Sequence, residues 1–262
     1  MGIRKYSKEE ELKLVEDYIQ GAPVISLMEK YGFKTKKSIT DKVKKYFPDT
    51  YKDLVKIARN NRKDYSIDLS SINCEFNAYF IGLMLTDGYI QDDNKFGIQL
   101  TDEDCIKFIA SVTNKTYKTY PAKDESRKIL HRIIFSDSSQ IPHLARYGIV
   151  PNKTHIIQAP KLTKEERFFI PYIIRGIIDG DGCVYSTCEG TAAFYICTMS
   201  KDFAYWIKEQ LENTLFMRDI EIHQQQGGIW LVETALQTTI YKLITLVYDN
   251  PFGMTRKYNK CI

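Results

Sequence analysis

Two nine-residue stretches decide the fold of this chain: Phe80-Ile81-Gly82-Leu83-Met84-Leu85-Thr86-Asp87-Gly88 and Ile174-Arg175-Gly176-Ile177-Ile178-Asp179-Gly180-Asp181-Gly182. Both place a glycine before two apolar residues, two variable residues and a final Asp-Gly pair. The second copy comes 94 residues after the first (Gly82 to Gly176). Each is followed by a stretch that predicts a strand, at residues 96–100 and 194–198. An internal repeat of this kind predicts two similar halves in one chain.

Composition excludes several classes of protein. The 262 residues, 44% hydrophobic and 13% aromatic, allow one large domain or two unequal ones and exclude general disorder. No apolar run approaches the roughly 20 residues of a membrane span, and the N-terminus lacks the apolar region of a secretory signal. The six cysteines form no CxxC pair, which argues against a zinc site or a disulfide framework. We expect a cytoplasmic or nucleoid-associated protein without membrane contact.

Positive charge is concentrated near the N-terminus. The net charge is only +4, but residues 34–63 contain 11 Lys or Arg against 3 Asp or Glu. Such a stretch in a near-neutral chain indicates contact with a polyanion, or simply a solvated helix face. Nucleic acid is favoured over membrane because the stretch lacks a broad apolar face rich in Trp or Phe.

Residues 1–50 predict three short helices. Ser7 and Glu10 form a capping-box pattern, Gly21 and Gly32 end the first two helices, and a third runs from about Thr35. Two short helices joined by a Gly-containing turn resemble a helix-turn-helix DNA-binding domain, although any three-helix bundle gives this pattern. Its predicted DNA-facing residues are Lys36, Lys37, Thr40 and Lys44. Residues 51–68 read as a basic linker that lies along phosphates through Arg59, Arg62 and Lys63.

The remaining chain predicts an α+β fold in two halves, residues 69–160 and 161–262. Gly82 and Gly176 fall within predicted helices, where glycine costs about 1 kcal/mol relative to alanine. Close approach of the two helix backbones explains their presence. The helix ends then bring Asp87 and Asp181 together, although the helix dipoles and mutual repulsion oppose this. A hard divalent cation such as Mg²⁺ offsets both penalties and suits phosphodiester hydrolysis.

The paired nine-residue stretches resemble LAGLIDADG motifs, and residues 69–262 resemble a single-chain LAGLIDADG homing endonuclease. The helix-turn-helix pattern suggests the fused form found in mobile introns and phage genomes. This resemblance implies a monomer with two pseudo-symmetric curved antiparallel sheets that form a saddle on double-stranded DNA. It also implies hydrolysis of both strands across the minor groove with Mg²⁺ or Mn²⁺, leaving 3′ overhangs.

The resemblance further implies roles for individual residues. Asp87 and Asp181 bind metal, with the carbonyls of Thr86 and Gly180 as additional ligands, and Gln99 lies near the bound water as a catalytic residue. The counterpart of Gln99 is Cys197, and neither strand–helix junction supplies the lysine common in the family, which raises the prospect of strand-biased nicking. Lys153 and Lys257 match each other at the ends of the repeats and are assigned to phosphate neutralisation, with catalysis as the alternative.

Residues on alternate positions of the predicted strands are assigned to DNA contact. On the first sheet these are Gln91, Lys95, Gln99, Arg127, Lys128 and Arg132. On the second they are Tyr185, Thr187, Tyr195, Gln224, Gln226 and Trp230. A register error of one residue exchanges each assignment with its neighbour.

Two alternative functions remain open at this point. The first is a transcription regulator that combines a LAGLIDADG-like domain with a helix-turn-helix and has lost catalysis. The presence of both Asp87 and Asp181 argues against this function. An intron-splicing maturase keeps the same fold and can keep both acids.

Overall fold

The computed structural model describes residues 6–22, 24–61, 67–91, 95–122, 128–186 and 191–260. The chain divides into two compact units, Met1–Tyr65 and Ser66–Ile262. Within the described ranges, no helix combines the length and the apolar character needed to cross a bilayer.

The described residues of the N-terminal unit form four helices: α1 (Lys8–Ile19), α2 (Val24–Tyr31), α3 (Lys36–Tyr46) and α4 (Tyr51–Asn61). The capping box forms as the sequence indicates. The Ser7 hydroxyl accepts from the Glu10 amide at 3.1 Å, and the Glu10 carboxylate accepts from the Ser7 amide at 2.9 Å. Leu14, Ile39 and Val43 are fully buried between the helices. Burial of these side chains provides most of the stability of so small a unit.

The predicted basic linker is wrong over most of its length, because Tyr51–Asn61 forms α4 and joins the N-terminal core. Leu54, Val55 and Ala58 pack against that core. Their helical spacing is hard to recognise in sequence because lysines and polar residues surround them. The side chain of Arg59, and the whole of Arg62 and Lys63, lie outside the described residues.

The predicted DNA-facing residues of α3 lie on the surface of the N-terminal unit. Lys36, Lys37 and Lys44 are exposed. Thr40 is half-buried, and its hydroxyl donates to the Lys37 carbonyl at 3.0 Å. The helix-turn-helix assignment stays a prediction, now for a four-helix unit.

A buried carboxylate ties α1 to α3. Glu11 accepts from Lys45 and the Tyr46 hydroxyl, each at 2.6 Å, and from Lys42. Hydrogen bonds from Lys42, Lys45 and Tyr46 lower the pKa of Glu11 from 4.5 to about 2, although burial opposes the shift. The carboxylate therefore adds stability that is present above pH 4.5 and lost as the pH falls toward 2.

We expect Glu11→Gln to destabilise the N-terminal unit by about 2–3 kcal/mol at pH 7 and to weaken its acid dependence. The measurement is urea unfolding of the full chain at several pH values between 2 and 7. Glu9→Gln is the control, because it removes the same charge from an exposed position of α1. Equal effects of the two substitutions would show that the Glu11 contacts add nothing.

The second unit contains two repeats with the same order of elements. Repeat one comprises α5 (Glu75–Thr86), β1 (Gly88–Gln91), β2 (Lys95–Leu100), α6 (Glu103–Val112), β3 (Lys118–Tyr120), β4 (Leu130–Phe135) and α7 (Ile141–Arg146). Repeat two comprises α8 (Ile170–Asp181), β5 (Gly182–Ser186), β6 (Ala192–Thr198), α9 (Lys201–Glu209), β7 (Glu221–Gln224), β8 (Trp230–Thr234), α10 (Gln237–Val247) and the short α11 (Thr255–Tyr258).

Each repeat forms one antiparallel four-stranded sheet, in the orders β1-β2-β4-β3 and β5-β6-β8-β7. The predicted α+β class with two pseudo-symmetric halves is confirmed. One face of each sheet packs beneath the helices, with Phe96, Ile98 and Ile133 from the first sheet and Ile196 and Val232 from the second in a single continuous core. We call the opposite face of each sheet its outer face.

Candidate active site

The motif helices α5 and α8 pack closely against each other along the glycines of the two motifs. A Cβ on Gly82 would lie 2.8 Å from the Gly176 Cα, and a Cβ on Gly176 would lie 2.8 Å from the Gly82 Cα and the Leu83 amide nitrogen. No real Cβ tolerates such contacts with backbone. The structure therefore places both glycines at the contact between the two repeats, where only the absence of a side chain permits this separation.

This packing brings Asp87 and Asp181 together at the C-terminal ends of the motif helices. A Cβ on Gly180, the residue before Asp181, would lie 2.8 Å from Asp87 Oδ2. Desolvation and the neighbouring charge of Asp181 raise the pKa of Asp87 from 3.8 to about 6. Desolvation also raises the pKa of Asp181, although that residue keeps an exposed surface. Two carboxylates held in this way resist ionisation, and a bound cation would relieve the penalty.

Lys153 and Lys257 enter the same site, each with only 9% of its surface exposed. Lys153 Nζ donates to the Thr86 carbonyl at 2.6 Å. Lys257 Nζ donates to the carbonyls of Ile178 at 2.6 Å, Gly182 at 2.7 Å and Gly180 at 3.3 Å. Their pKa values are lowered by burial, while the charges of Asp87 and its neighbours oppose the shift.

These two lysines, assigned from the sequence to phosphate neutralisation with catalysis as the alternative, therefore lie beside the two acids, although neither strand–helix junction supplies a lysine. Each lysine lies near the C-terminal end of its repeat and contacts the end of its own motif helix. Lys153 and Asp181 line one cleft, together with Thr86 and Cys197. The signal in the sequence is the matched position of the two lysines, but only the folded chain brings them close to the carboxylates.

The residues of this site suit a hard cation. No group of three or more His, Cys, Asp or Glu side chains with metal-binding geometry occurs in the part of the chain that the structure describes. Two carboxylates with backbone carbonyls remain, and Mg²⁺ commonly binds through one or two carboxylates, substrate phosphate and water. The carbonyls of Thr86 and Gly180, predicted as metal ligands, accept hydrogen bonds from Lys153 and Lys257 in this structure.

Strand register brings Gln99 and Cys197 to equivalent positions beside the two acids. Gly88 pairs with Ile98 and Gly182 pairs with Ile196. Because the strands are antiparallel, Gln99, the residue after Ile98, lies beside Asp87, the residue before Gly88. In the same way Cys197, the residue after Ile196, lies beside Asp181. Desolvation and the charge of Asp181 raise the pKa of the Cys197 thiol. The site is thus asymmetric, with an amide on one side and a neutral thiol on the other.

The outer face of the first sheet is polar and basic. Gln91 pairs with Lys95, and Gln99 pairs with Arg132, so these four predicted residues share one face. Arg132 donates to the Tyr89 hydroxyl and, at 3.3 Å, to Gln91 Oε1. Lys118 pairs with Arg132 and joins this face; the sequence prediction missed it because β3 has only three residues. Lys128 is exposed just before β4, and Arg127 lies outside the described residues.

The outer face of the second sheet has a different character. Tyr185 and Tyr195 lie on it, with Glu233 opposite Tyr195 and Glu221 opposite Glu233. The described strands of this sheet carry no lysine or arginine on either face. Thr187 lies outside the described residues.

Two assignments on the second sheet are wrong by one residue of register. Gln224 pairs with Trp230, and Trp230 packs against the core and Tyr205 of α9, so both residues are on the helix-covered face. Their neighbours His223 and Leu231, which pair with each other, are on the outer face instead. Gln226 is exposed in the turn between β7 and β8.

The chain resembles solved structures with the LAGLIDADG fold. The match to the N-terminal LAGLIDADG domain of DUF199/WhiA covers 71% of this chain and 91% of the WhiA chain, with a TM-score of 0.47 and 10% sequence identity. The match to the meganuclease I-SmaMI bound to uncleavable DNA covers 71% of this chain and 88% of the I-SmaMI chain, with a TM-score of 0.46 and 10% sequence identity. The match to the homing endonuclease I-GzeII in complex with its DNA target covers 70% of this chain and 87% of the I-GzeII chain, with a TM-score of 0.47 and 12% sequence identity.

No protein-family model matches the chain, and no curated protein does. At these identities the similarity to solved structures concerns the fold.

Proposed function

We propose that this chain is a site-specific endonuclease that hydrolyses both strands of DNA with a hard divalent cation, leaving 3′ overhangs, and that it acts as a monomer inside the cell. The observation that carries this proposal is the meeting of Asp87 and Asp181 at the ends of α5 and α8, with Lys153 and Lys257 beside them. Clustered carboxylates and buried ammonium groups next to an open basic sheet suit a phosphodiester substrate.

Each group has a distinct task in this proposal. Asp87 and Asp181 hold the cation, which when bound polarises the phosphate and activates water. The two buried ammonium groups stabilise the negative charge that develops on the phosphate oxygens during in-line attack. Gln99, with both a donor and an acceptor, orients water on one side of the site. Cys197 lacks an equivalent amide, so the two DNA strands are cut at unequal rates.

The test uses the protein's own selected target. Duplexes that bind the chain are selected from a randomised DNA library in EDTA and then incubated with Mg²⁺, Mn²⁺, Ca²⁺ or EDTA. We expect cleavage at one position with Mg²⁺ or Mn²⁺ and none in EDTA. Specific binding without cleavage under any of these conditions would instead support the DNA-binding regulator.

The basic outer face of the first sheet predicts strong salt dependence of DNA binding. Each phosphate contact contributes about 0.9 to the slope of log affinity against log salt concentration. We expect Lys118→Gln to reduce the magnitude of that slope by about 0.9, the contribution of one phosphate contact. Fluorescence anisotropy between low and high salt measures the slope. The control is Lys107→Gln on α6, where the ammonium pairs with Glu103 at 3.0 Å. Equal slopes for the two variants would remove Lys118 from the interface.

The N-terminal unit is proposed as a second DNA contact. Deleting residues 1–66 should weaken target affinity more than it slows the cleavage of bound DNA. A gentler variant replaces Lys36, Lys37 and Lys44 by glutamine and keeps the helices, with an expected loss of up to about 3 in the salt slope. Unchanged dissociation constants for both variants would show that this unit has another role.

A further inference from the structure

The two lysines are carried by segments that each make contacts with the opposite repeat. We call residues 148–161 the first lysine arm and residues 249–258 the second. In the first arm, the Ile157 carbonyl accepts from the Ser200 hydroxyl of repeat two at 2.8 Å. In the second arm, the Thr255 amide donates to Asp104 of repeat one at 2.7 Å. Each arm therefore contacts the opposite repeat, the first arm four residues after Lys153 and the second arm just before Lys257, while each lysine contacts its own motif helix.

The anchor of the second arm is much stronger than that of the first. Arg256, directly before Lys257, makes a two-bond contact to Asp102, at 2.9 and 3.0 Å. Bidentate charged contacts of this kind fix both position and orientation. Asp104 fixes the preceding Thr255 amide. In the first arm, the residue of the opposite repeat that corresponds to Asp102 is Ser200, and its contact to the Ile157 carbonyl involves no charge.

Asp102 forgoes its ordinary structural role to make this contact. It occupies the N-cap position of α6, yet its side chain makes no capping hydrogen bond. The equivalent Ser200 does cap α9, accepting from the Phe203 amide at 3.3 Å. An N-cap side chain is typically worth about 1 kcal/mol. The carboxylate of Asp102 is directed at Arg256 instead of its own helix.

On the repeat-two side, α8 secures the beginning of the second arm. Arg175 donates to the carbonyls of Asn250, at 2.6 Å, and Phe252. Asp179, fully buried, accepts from the Met254 amide at 3.0 Å. These contacts set where the arm begins, and the contacts to repeat one set where it ends. Lys257 lies immediately after both.

We propose that Asp102 and Asp104 are positioning residues that act from repeat one on the active-site lysine of repeat two. They hold Thr255 and Arg256 so that the Lys257 ammonium stays on the carbonyls at the end of α8. This inference rests on the proposed nuclease function for its consequence in cleavage, but the geometry is testable without it. Lys153, on the neutral Ser200 anchor, does not depend on these acids.

The first test measures lysine accessibility in the full-length protein, without DNA. Asp102→Asn removes the charge, and an amine-reactive acylating reagent followed by mass spectrometry reports on each lysine. We expect Lys257 to react about 10-fold or more faster in the variant while Lys153 stays protected, because a displaced side chain loses its buried carbonyl contacts. Arg256→Gln tests the same contact from the other side if Asp102→Asn fails to fold.

Glu103→Gln is the matched control, since Glu103 lies next to Asp102 but its carboxylate accepts from Lys107 and Tyr117. The double charge reversal Asp102→Arg with Arg256→Asp should restore protection of Lys257. Unchanged reactivity of Lys257 in both single variants, or equal exposure of Lys153 and Lys257, would overturn the proposal.

The second test measures the two DNA strands separately on the selected target labelled at both ends. We expect Asp102→Asn to slow one strand by about 10- to 100-fold and the other little, so that nicked duplex accumulates. If the wild-type protein cuts and the variant slows both strands equally, the positioning role is wrong. If the wild-type protein never cuts, the nuclease proposal fails, and the accessibility result still decides the role of Asp102.

Discussion

Asp87→Asn and Asp181→Asn proteins are expected to bind their target DNA and leave it uncut. Either change removes a charged ligand from the proposed cation site, and the loss of about 4 kcal/mol of transition-state stabilisation corresponds to a rate lower by about a thousandfold. The measurement is single-turnover cleavage of the selected duplex in Mg²⁺, with binding measured in Ca²⁺ or EDTA. Asp202→Asn, in the first turn of α9, is the control for the same substitution away from the site.

The stability of the metal-free protein separates this effect from misfolding. Because the pKa of Asp87 is raised from 3.8 to about 6, the folded state holds a proton more tightly than the unfolded state. Stability in EDTA should therefore fall as the pH rises from about 4 through 6. Asp87→Asn should remove that decline and stabilise the metal-free protein at pH 7 by about 1–2 kcal/mol. A variant that is inactive and also less stable would argue for a structural role.

The second large effect is expected at the contact between the motif helices. Gly82→Ala and Gly176→Ala each place a Cβ within 2.8 Å of backbone in the other helix. Backbone cannot yield as a side chain does, so the helices must separate and the core must expand. We expect each change to cost about 3 kcal/mol or more, and to reduce cleavage by moving Asp87 away from Asp181. Urea unfolding of the full chain measures the first effect.

Gly227→Ala provides the control for these substitutions. A Cβ there would meet nothing within 4 Å, but φ is +86°, so only backbone strain is added. That strain typically costs about 1 kcal/mol. If Gly82→Ala proved no more destabilising than Gly227→Ala, the close approach of α5 and α8 would be contradicted.

The duplicated motif made the fold predictable. A glycine within an apolar helix and an Asp-Gly pair at its end, repeated with the strand that follows, indicate two helices in contact and two sheets. The outer face of the first sheet also follows from sequence, because Lys95 and Gln99 alternate with the apolar Phe96, Ile98 and Leu100. In these segments local pattern and tertiary packing agree.

Features that depend on tertiary contacts could not be predicted from the sequence. The register of β7 and β8 depends on the turn containing Gly227 and Gly228, both with positive φ. The preceding run of glutamines gives no alternation that distinguishes the two faces, so the sequence pattern places Gln224 and Trp230 on the wrong face. Lys153 and Lys257 reach the acids only through the path of the lysine arms, which is set by contacts such as Asp102 with Arg256.

A crystal structure of the chain with its selected DNA and Mn²⁺, with the ion located by its anomalous scattering, shows whether the two motif acids hold the cation against the substrate. We expect manganese bound by both Asp87 and Asp181 and in contact with a phosphate oxygen of the duplex. Manganese bound elsewhere, or DNA that lies away from the ends of α5 and α8, would contradict it.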